Sequence, residues 1–374
     1  MVRLRRGRPP RKPGAWRVRA FPAAAIAILL LLAGACTPRI LAPGPVVQSP
    51  AMTTDALQMA DGVKLPLRVW RPAGPPRAVV LALHGFNDYS KAFEGPAQYF
   101  AKAGIVTYAY DQRSFGDAPN RGIWPGTDGL VDDLRSAITL IQARHPDLPM
   151  VLLGESMGGA VVMAAVARRE LPDVSGIVLS APAIWSRAVM PPWQRTGLNI
   201  AAHTIPAMEF TGRDLGKVPS DNIDMLRKLS RDPKVIKWTR VDAVYGLTNL
   251  MDEAYDSAPA LRGNVLILFG EKEDILPETA MTEFEKRLPT GNCSIRLATY
   301  KSGFHMLLRD LKAETVLRDV VAWVGDARGA LPSGGEKPLF AYAVAQREEA
   351  GKEGDGAPGA HAVNCRSPQR HARP

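Results

Sequence analysis

The chain has 374 residues, 46% of them hydrophobic, which is enough for one large core or two small ones. Its formal charge of +10 is uneven: eight of the 47 lysines and arginines stand in residues 1–20, and the remaining 39 nearly balance the 37 acids. A nearly neutral body excludes nucleic-acid binding by electrostatics, and three cysteines without metal-ligand spacing give no zinc site and no disulfide framework.

The basic stretch Arg3–Arg19 runs into the apolar run Phe21–Ala33 and then Gly34-Ala35-Cys36. A positive start, a short apolar run and small residues predict an export signal over 1–35, and the run is shorter than the ~20 residues a membrane span needs. Ala33-Gly34-Ala35-Cys36 resembles a bacterial lipobox. That resemblance implies a lipid on Cys36 and a membrane-associated protein of the bacterial cell envelope, facing the periplasm or exterior. Residues 36–55, rich in proline and small residues, read as a tether.

Beyond the tether, strands are expected at 56–59 and 64–70, turning at Asp61-Gly62. Apolar runs at 78–83, 105–110, 150–153, 176–180, 265–269 and 294–299 read as buried strands. Helical spacing falls between them, at 89–103, 128–145, 157–169, 278–288 and 306–324. Repeated βα units predict an α/β domain over 56–325, a mostly parallel sheet flanked by helices. The stretch from about 184 to 259 breaks the rhythm with Pro191-Pro192, Trp193, Met208 and Phe210, and reads as an inserted helical cap. Residues 326–374 are rich in glycine, proline and charge and read as a disordered tail.

Gly154-Glu155-Ser156-Met157-Gly158 is a G-x-S-x-G motif between a predicted strand and a predicted helix, the place of a nucleophile elbow. A serine hydroxyl needs a base to take its proton. Among six histidines, His305 follows a strand and loop downstream of Ser156, whereas His361 and His371 lie in the tail and His84 lies upstream. An acid to orient the imidazole is expected in the loop after 265–269, where Glu273 and Asp274 compete. Backbone N–H groups should face the developing oxyanion: Met157 supplies one, and Phe86, after the strand at 78–83, the other.

Together LHGFNDYSKAF, AYDQR-x-FG, LLGESMGG, GEKEDILP and GFHMLLRDL resemble the monoacylglycerol lipase and lysophospholipase-like branch of the α/β hydrolases, grouped with the serine aminopeptidases. The resemblance spans about residues 55–325. It implies the α/β-hydrolase fold with a cap over an acyl pocket, no cofactor, and cleavage of lipid-like carboxylic esters through an acyl-enzyme. It places the nucleophile at Ser156, the base at His305 and the oxyanion donors at Phe86 and Met157. Counting from Gly270 to Pro277, it selects Glu273 over Asp274 as the acid. Asp88-Tyr89 and Arg113-Ser114 depart from the lipase pattern, which leaves the head group open. A peptidase or amidase on the same scaffold, or a catalytically silent binding protein, are the competing expectations.

Overall fold

The computed structural model describes residues 37–212, 216–289 and 294–337. The expected export signal, Cys36 and the tail beyond 337 lie outside the described residues.

Among the described residues the strands are β1 (Ala51–Met52), β2 (Ala56–Gln58), β3 (Lys64–Trp70), β4 (Ala78–Leu83), β5 (Ile105–Tyr110) and β6 (Met150–Glu155). They continue with β7 (Gly176–Ser180), β8 (Glu209–Phe210), β9 (Thr239–Arg240), β10 (Val265–Gly270), β11 (Ile295–Tyr300) and β12 (Glu336–Lys337). One sheet runs in the order β1-β2-β3-β5-β4-β6-β7-β10-β11-β12. It is parallel from β5 to β11, with antiparallel strands at both edges.

The helices are α1 (Glu94–Lys102), α2 (Gly126–Arg144), α3 (Met157–Ala167), α4 (Pro192–Thr204), α5 (Ile223–Arg231), α6 (Val241–Ser257), α7 (Glu278–Arg287) and α8 (Ala313–Gly325). The central strands β4, β5, β6, β7 and β10 are buried along their whole length and largely apolar because both of their faces are covered. Val79, Leu81 and Leu83 of β4 enter one core, with α2, α3 and α6. Ala78, Val80 and Ala82 enter the other, with α1 and α8. Helix α3 (MGGAVVMAAVA) shows no polar face, as expected of a helix buried all round.

Connections from β4 and β6 leave toward opposite edges of the sheet, since β5 lies on one side of them and β7 on the other. A crevice therefore opens at the carboxyl ends of these two strands, where ligands bind in open α/β sheets. Leu83 pairs with Gly154, so the loops bearing Phe86 and Ser156 leave the sheet side by side.

Four expectations change. Residues 326–337, expected to open a disordered tail, fold onto the domain, because Leu331 is buried in the second core and β12 pairs with β11. The helix foreseen from Met306 begins only at Ala313, because residues 306–311 are drawn into turns: Met306 N–H donates to Pro219 O, and Leu311 N–H to Asp221 Oδ1. The insertion divides in two. Helices α4 and α5 bury almost nothing, whereas α6 sinks Leu250, Met251, Ala254 and Tyr255 into the core beside α3, so the cap-like part ends near 240. The expected tether is docked in its first part: Arg39 N–H donates to buried Asp242, and Leu41 N–H to Trp124 O.

A Cβ at Gly158 would stand 2.2 Å from Leu83 O, a backbone atom that cannot swing away. Gly158→Ala should therefore destabilise the domain by about 1–3 kcal/mol through overpacking. Gly197→Ala, on an exposed turn of α4 with no atom within 4 Å of the new methyl, should be neutral or stabilise by up to about 1 kcal/mol. Urea unfolding of the two variants checks the contrast.

Candidate active site

Ser156 forms the turn between β6 and α3 at φ 51° and ψ −114°, a strained backbone for a residue with a Cβ. Its N–H donates to Ser180 O at 2.9 Å, and its carbonyl accepts from Ala160 and Ala183. The turn is so tight that a Cβ at Gly154 would lie 2.5 Å from the backbone of Gly159. The seryl side chain is left partly open at the crevice.

His305 reaches it from the loop after β11, with Nε2 3.0 Å from Ser156 Oγ. Its Nδ1 lies 2.8 Å from Glu273 Oε2. Burial would raise the Glu273 carboxyl, but the charge and hydrogen bond of His305, with the N–H groups of Leu276 and Ile275, hold it below the usual range. An ionised carboxylate only accepts, so Nδ1 carries the proton and Nε2 offers its lone pair to the seryl O–H. The longer acid is accommodated because it folds back onto its own loop, leaving its side chain 1% exposed. The acid and base loops touch where both lack side chains: a Cβ at Gly270 would stand 2.1 Å from Gly303 O.

Asp274 points elsewhere. It binds Lys217 Nζ at 2.8 Å and Val218 N–H at 2.9 Å, tying the acid loop to the insertion.

Gly85 passes close to the serine: a Cβ there would lie 3.4 Å from Ser156 Cβ. The next N–H, that of Phe86, and the N–H of Met157 at the start of α3 have no acceptor among the described residues. Two unpartnered donors, one on the residue after Gly85 and one on the residue after Ser156, are of the kind that can stabilise an oxyanion.

His84 is fully buried. Nδ1–H donates to Gly85 O at 2.8 Å, Nε2 accepts from Gln112 N–H at 2.9 Å, and Gln112 returns a bond to His84 O. The imidazole braces the turn ahead of Phe86. A cavity of about 290 Å³ opens from Phe86 and Met306 toward the insertion, walled by Leu226, Leu229, Val235 and Ile236.

The reading of the sequence did not single out Arg309, buried between Asp88 and Glu155. Its one signal there is a charge inside the apolar stretch MLLRDL. Among the described residues no cluster of three or more metal-ligating side chains occurs.

Burial depresses the His84 pKa below the ordinary 6.5, so the folded chain keeps this imidazole neutral. The unfolded chain takes up the proton as pH falls below about 6.5, binding more protons than the folded one. The stability that neutral His84 provides is thus complete above that pH and is lost below it. Urea midpoints from pH 8 down to 5 should fall more steeply for the wild type than for His84→Gln; parallel curves would refute this assignment.

A family model described as serine aminopeptidase, S33, matches residues 74–312. The monoacylglycerol lipase of Mycolicibacterium smegmatis is 28% identical over 282 residues, covering 70% of this chain and 93% of that one. The monoglyceride lipase of Rattus norvegicus is 25% identical over 274 residues, covering 71% and 88%. Among solved structures, Paleococcus ferrophilus monoacylglycerol lipase superposes with a TM-score of 0.58 at 21% identity, over 70% of this chain and 99% of that one. A soluble variant of monoglyceride lipase from Saccharomyces cerevisiae, in complex with a substrate analog, gives 0.62 at 18% identity, over 76% and 98%. The structural likeness shows the α/β-hydrolase fold. With the family match spanning well over half of its length, the chain belongs to the serine aminopeptidase S33 family of α/β hydrolases.

Proposed function

We propose that this protein is a carboxylic ester hydrolase acting on lipid-like esters of the monoacylglycerol or lysophospholipid type. The observation that carries the reading is the hydrogen-bonded chain Ser156–His305–Glu273 at a strained turn, with unpaired N–H groups on the residues that follow Gly85 and Ser156. The names of its relatives, monoacylglycerol and monoglyceride lipases, support the substrate class.

In this reading Ser156 Oγ attacks the acyl carbonyl while His305 Nε2 takes the seryl proton. His305 then hands that proton to the departing alcohol, leaving an acyl-enzyme that water hydrolyses by the same steps in reverse roles. Glu273 holds the imidazole in the required tautomer and stabilises the imidazolium. Phe86 and Met157 donate to the oxyanion; losing one such donor costs about 10²–10³ in rate. The apolar wall Leu226, Leu229, Val235 and Ile236 suits an acyl chain. A peptidase is the second reading, favoured by the description of the family itself.

Ser156→Ala should abolish both turnover and labelling by a fluorophosphonate. Glu273→Gln should lower kcat by about 10³ or more, as expected for loss of the imidazole's orienting carboxylate, while Asp274→Asn stays within about tenfold. The reverse order would move the acid to Asp274. Monoacylglycerols and lysophospholipids should be cleaved well ahead of aminoacyl anilides; preference for the anilides would establish the peptidase reading.

We further propose that residues 1–35 direct export and that Cys36 bears a lipid holding the enzyme to the bacterial envelope, next to such substrates. The basic, apolar and small-residue order of the amino terminus supports this. Palmitate should label the wild type and not Cys36→Ser; equal labelling would remove the anchor.

A further inference from the structure

Three catalytic loops meet at one buried cation. Arg309, four residues beyond His305, sends Nη1 to Asp88 Oδ2 at 2.7 Å and Nη2 to Glu155 Oε1 at 2.9 Å. Asp88 belongs to the loop that carries Phe86, and Glu155 is the residue before Ser156. All three side chains are nearly enclosed, at 9%, 6% and 3% exposure. Arg309 Nε and Glu155 Oε2 find no partner among the described residues, and Asp88 Oδ1 accepts only from its neighbour Tyr89 N–H, so the outer two N–H groups carry the whole connection. Burial opposes the Arg309 charge, but the neighbouring Glu155 and Asp88 outweigh it and hold the guanidinium more firmly protonated than an ordinary arginine.

This arrangement answers a need created by the sheet. The two oxyanion donors sit on loops whose chains depart in opposite directions after β4 and β6. Nothing covalent fixes their separation. Each loop has a local brace (His84 and Gln112 for one, Ser180 for the other), but those braces tie each loop to a different neighbour. A planar fork that grips one carboxylate from each loop sets the distance between them, and lysine, a single point charge, cannot do this.

We infer that Arg309, with Asp88 and Glu155, is a positioning device that sets the separation of the Phe86 and Met157 N–H groups and their register with His305. The assignment rests on the serine hydrolase reading above. It predicts a loss in the transition state and not in ground-state binding, because the donors matter most when charge develops on the oxygen.

The test uses the full chain and a soluble monoacylglycerol or p-nitrophenyl ester, with kcat expressed per serine titrated by a fluorophosphonate, so that misfolded protein drops out. Arg309→Met and Glu155→Met should each lower kcat by about 10- to 100-fold with KM changed by less than about threefold, a partial version of losing an oxyanion donor. Glu155→Gln keeps an acceptor for Nη2 and should stay within about threefold in kcat, since its carbonyl oxygen preserves the bridge. Should Arg309→Met fail to fold, the Gln and Met variants at 155 decide alone. Equal kcat for those two, or a loss confined to KM, would overturn the inference, because a filler of space would treat the two side chains alike. If the wild type itself is not labelled at Ser156, the hydrolase reading falls first and this inference with it; labelling with indifferent variants defeats the inference only.

Discussion

The backbone of Ser156 sits at φ 51° and ψ −114°, where a residue with a Cβ remains only if its surroundings enforce it. Such strain costs on the order of 1–3 kcal/mol and must be met by what lies on either side. Here β6 on one flank and Met157–Ala165 of α3 on the other are buried, and the helix can approach the strand because residues 154, 158 and 159 have no side chains. The same closeness brings Leu83 against Gly158 and the following loop against the serine. Exposure of the hydroxyl and the position of the Met157 N–H are thus consequences of one turn. Relaxing it would disperse both.

Charge is distributed around that turn by neighbouring carboxylates with separate tasks. Glu273 and Asp274 are adjacent in sequence, yet one is enclosed with His305 and the other lies toward solvent with Lys217. Successive side chains in this loop leave in different directions, so two acids do not compete for one imidazole. The enclosed one stays ionised because three donors converge on it. Asp310 is a third case: burial raises its pKa, and it bonds Ser220 Oγ and Phe304 N–H, joining the histidine loop to the insertion.

The parts of this molecule readable from sequence are those governed by local pattern. Continuous apolar runs of strand length marked the central strands, and small residues around Ser156 marked the turn. The separation of Glu273 from Asp274 is not readable from local pattern: Glu273 folds back onto the N–H groups of Ile275 and Leu276 and reaches His305, while Asp274 turns to Lys217 and Val218, 57 and 56 positions away. The start of α8 was misplaced because 306–312 has helical spacing, while its backbone groups are claimed by residues 219–221 from far away in sequence. Likewise α6 has the composition of any surface helix pair, and only its packing on α3 assigns it to the core. Arg309 could not be assigned a partner from sequence at all, since its carboxylates lie 154 and 221 positions distant.

The insertion is therefore two structures with different attachments. Its last helix is fixed in the core beside α3, and its outer part touches the loops of the site at two places. Residues 217–222 meet the loops bearing Glu273 and His305, and 232–239 meet the loop bearing Phe86, where Ile236 N–H donates to Asn87 O, Asn87 Nδ2 to Thr239 Oγ1 and Tyr89 Oη to Asp232. Lys217 and Val218 hold Asp274, Pro219 O takes the N–H of Met306, and Asn222 donates to Arg309 O. Helix α5, which walls the cavity with Leu226 and Leu229, follows directly on the stretch that borders the loops of Glu273 and His305. Displacement of the outer helices would be felt at residues flanking Glu273, His305 and Phe86, whereas the serine turn is held from the opposite side by β7. The wall that would receive an acyl group is thus joined by hydrogen bonds to the loops of Glu273, His305 and Phe86, while the seryl oxygen stays with the sheet.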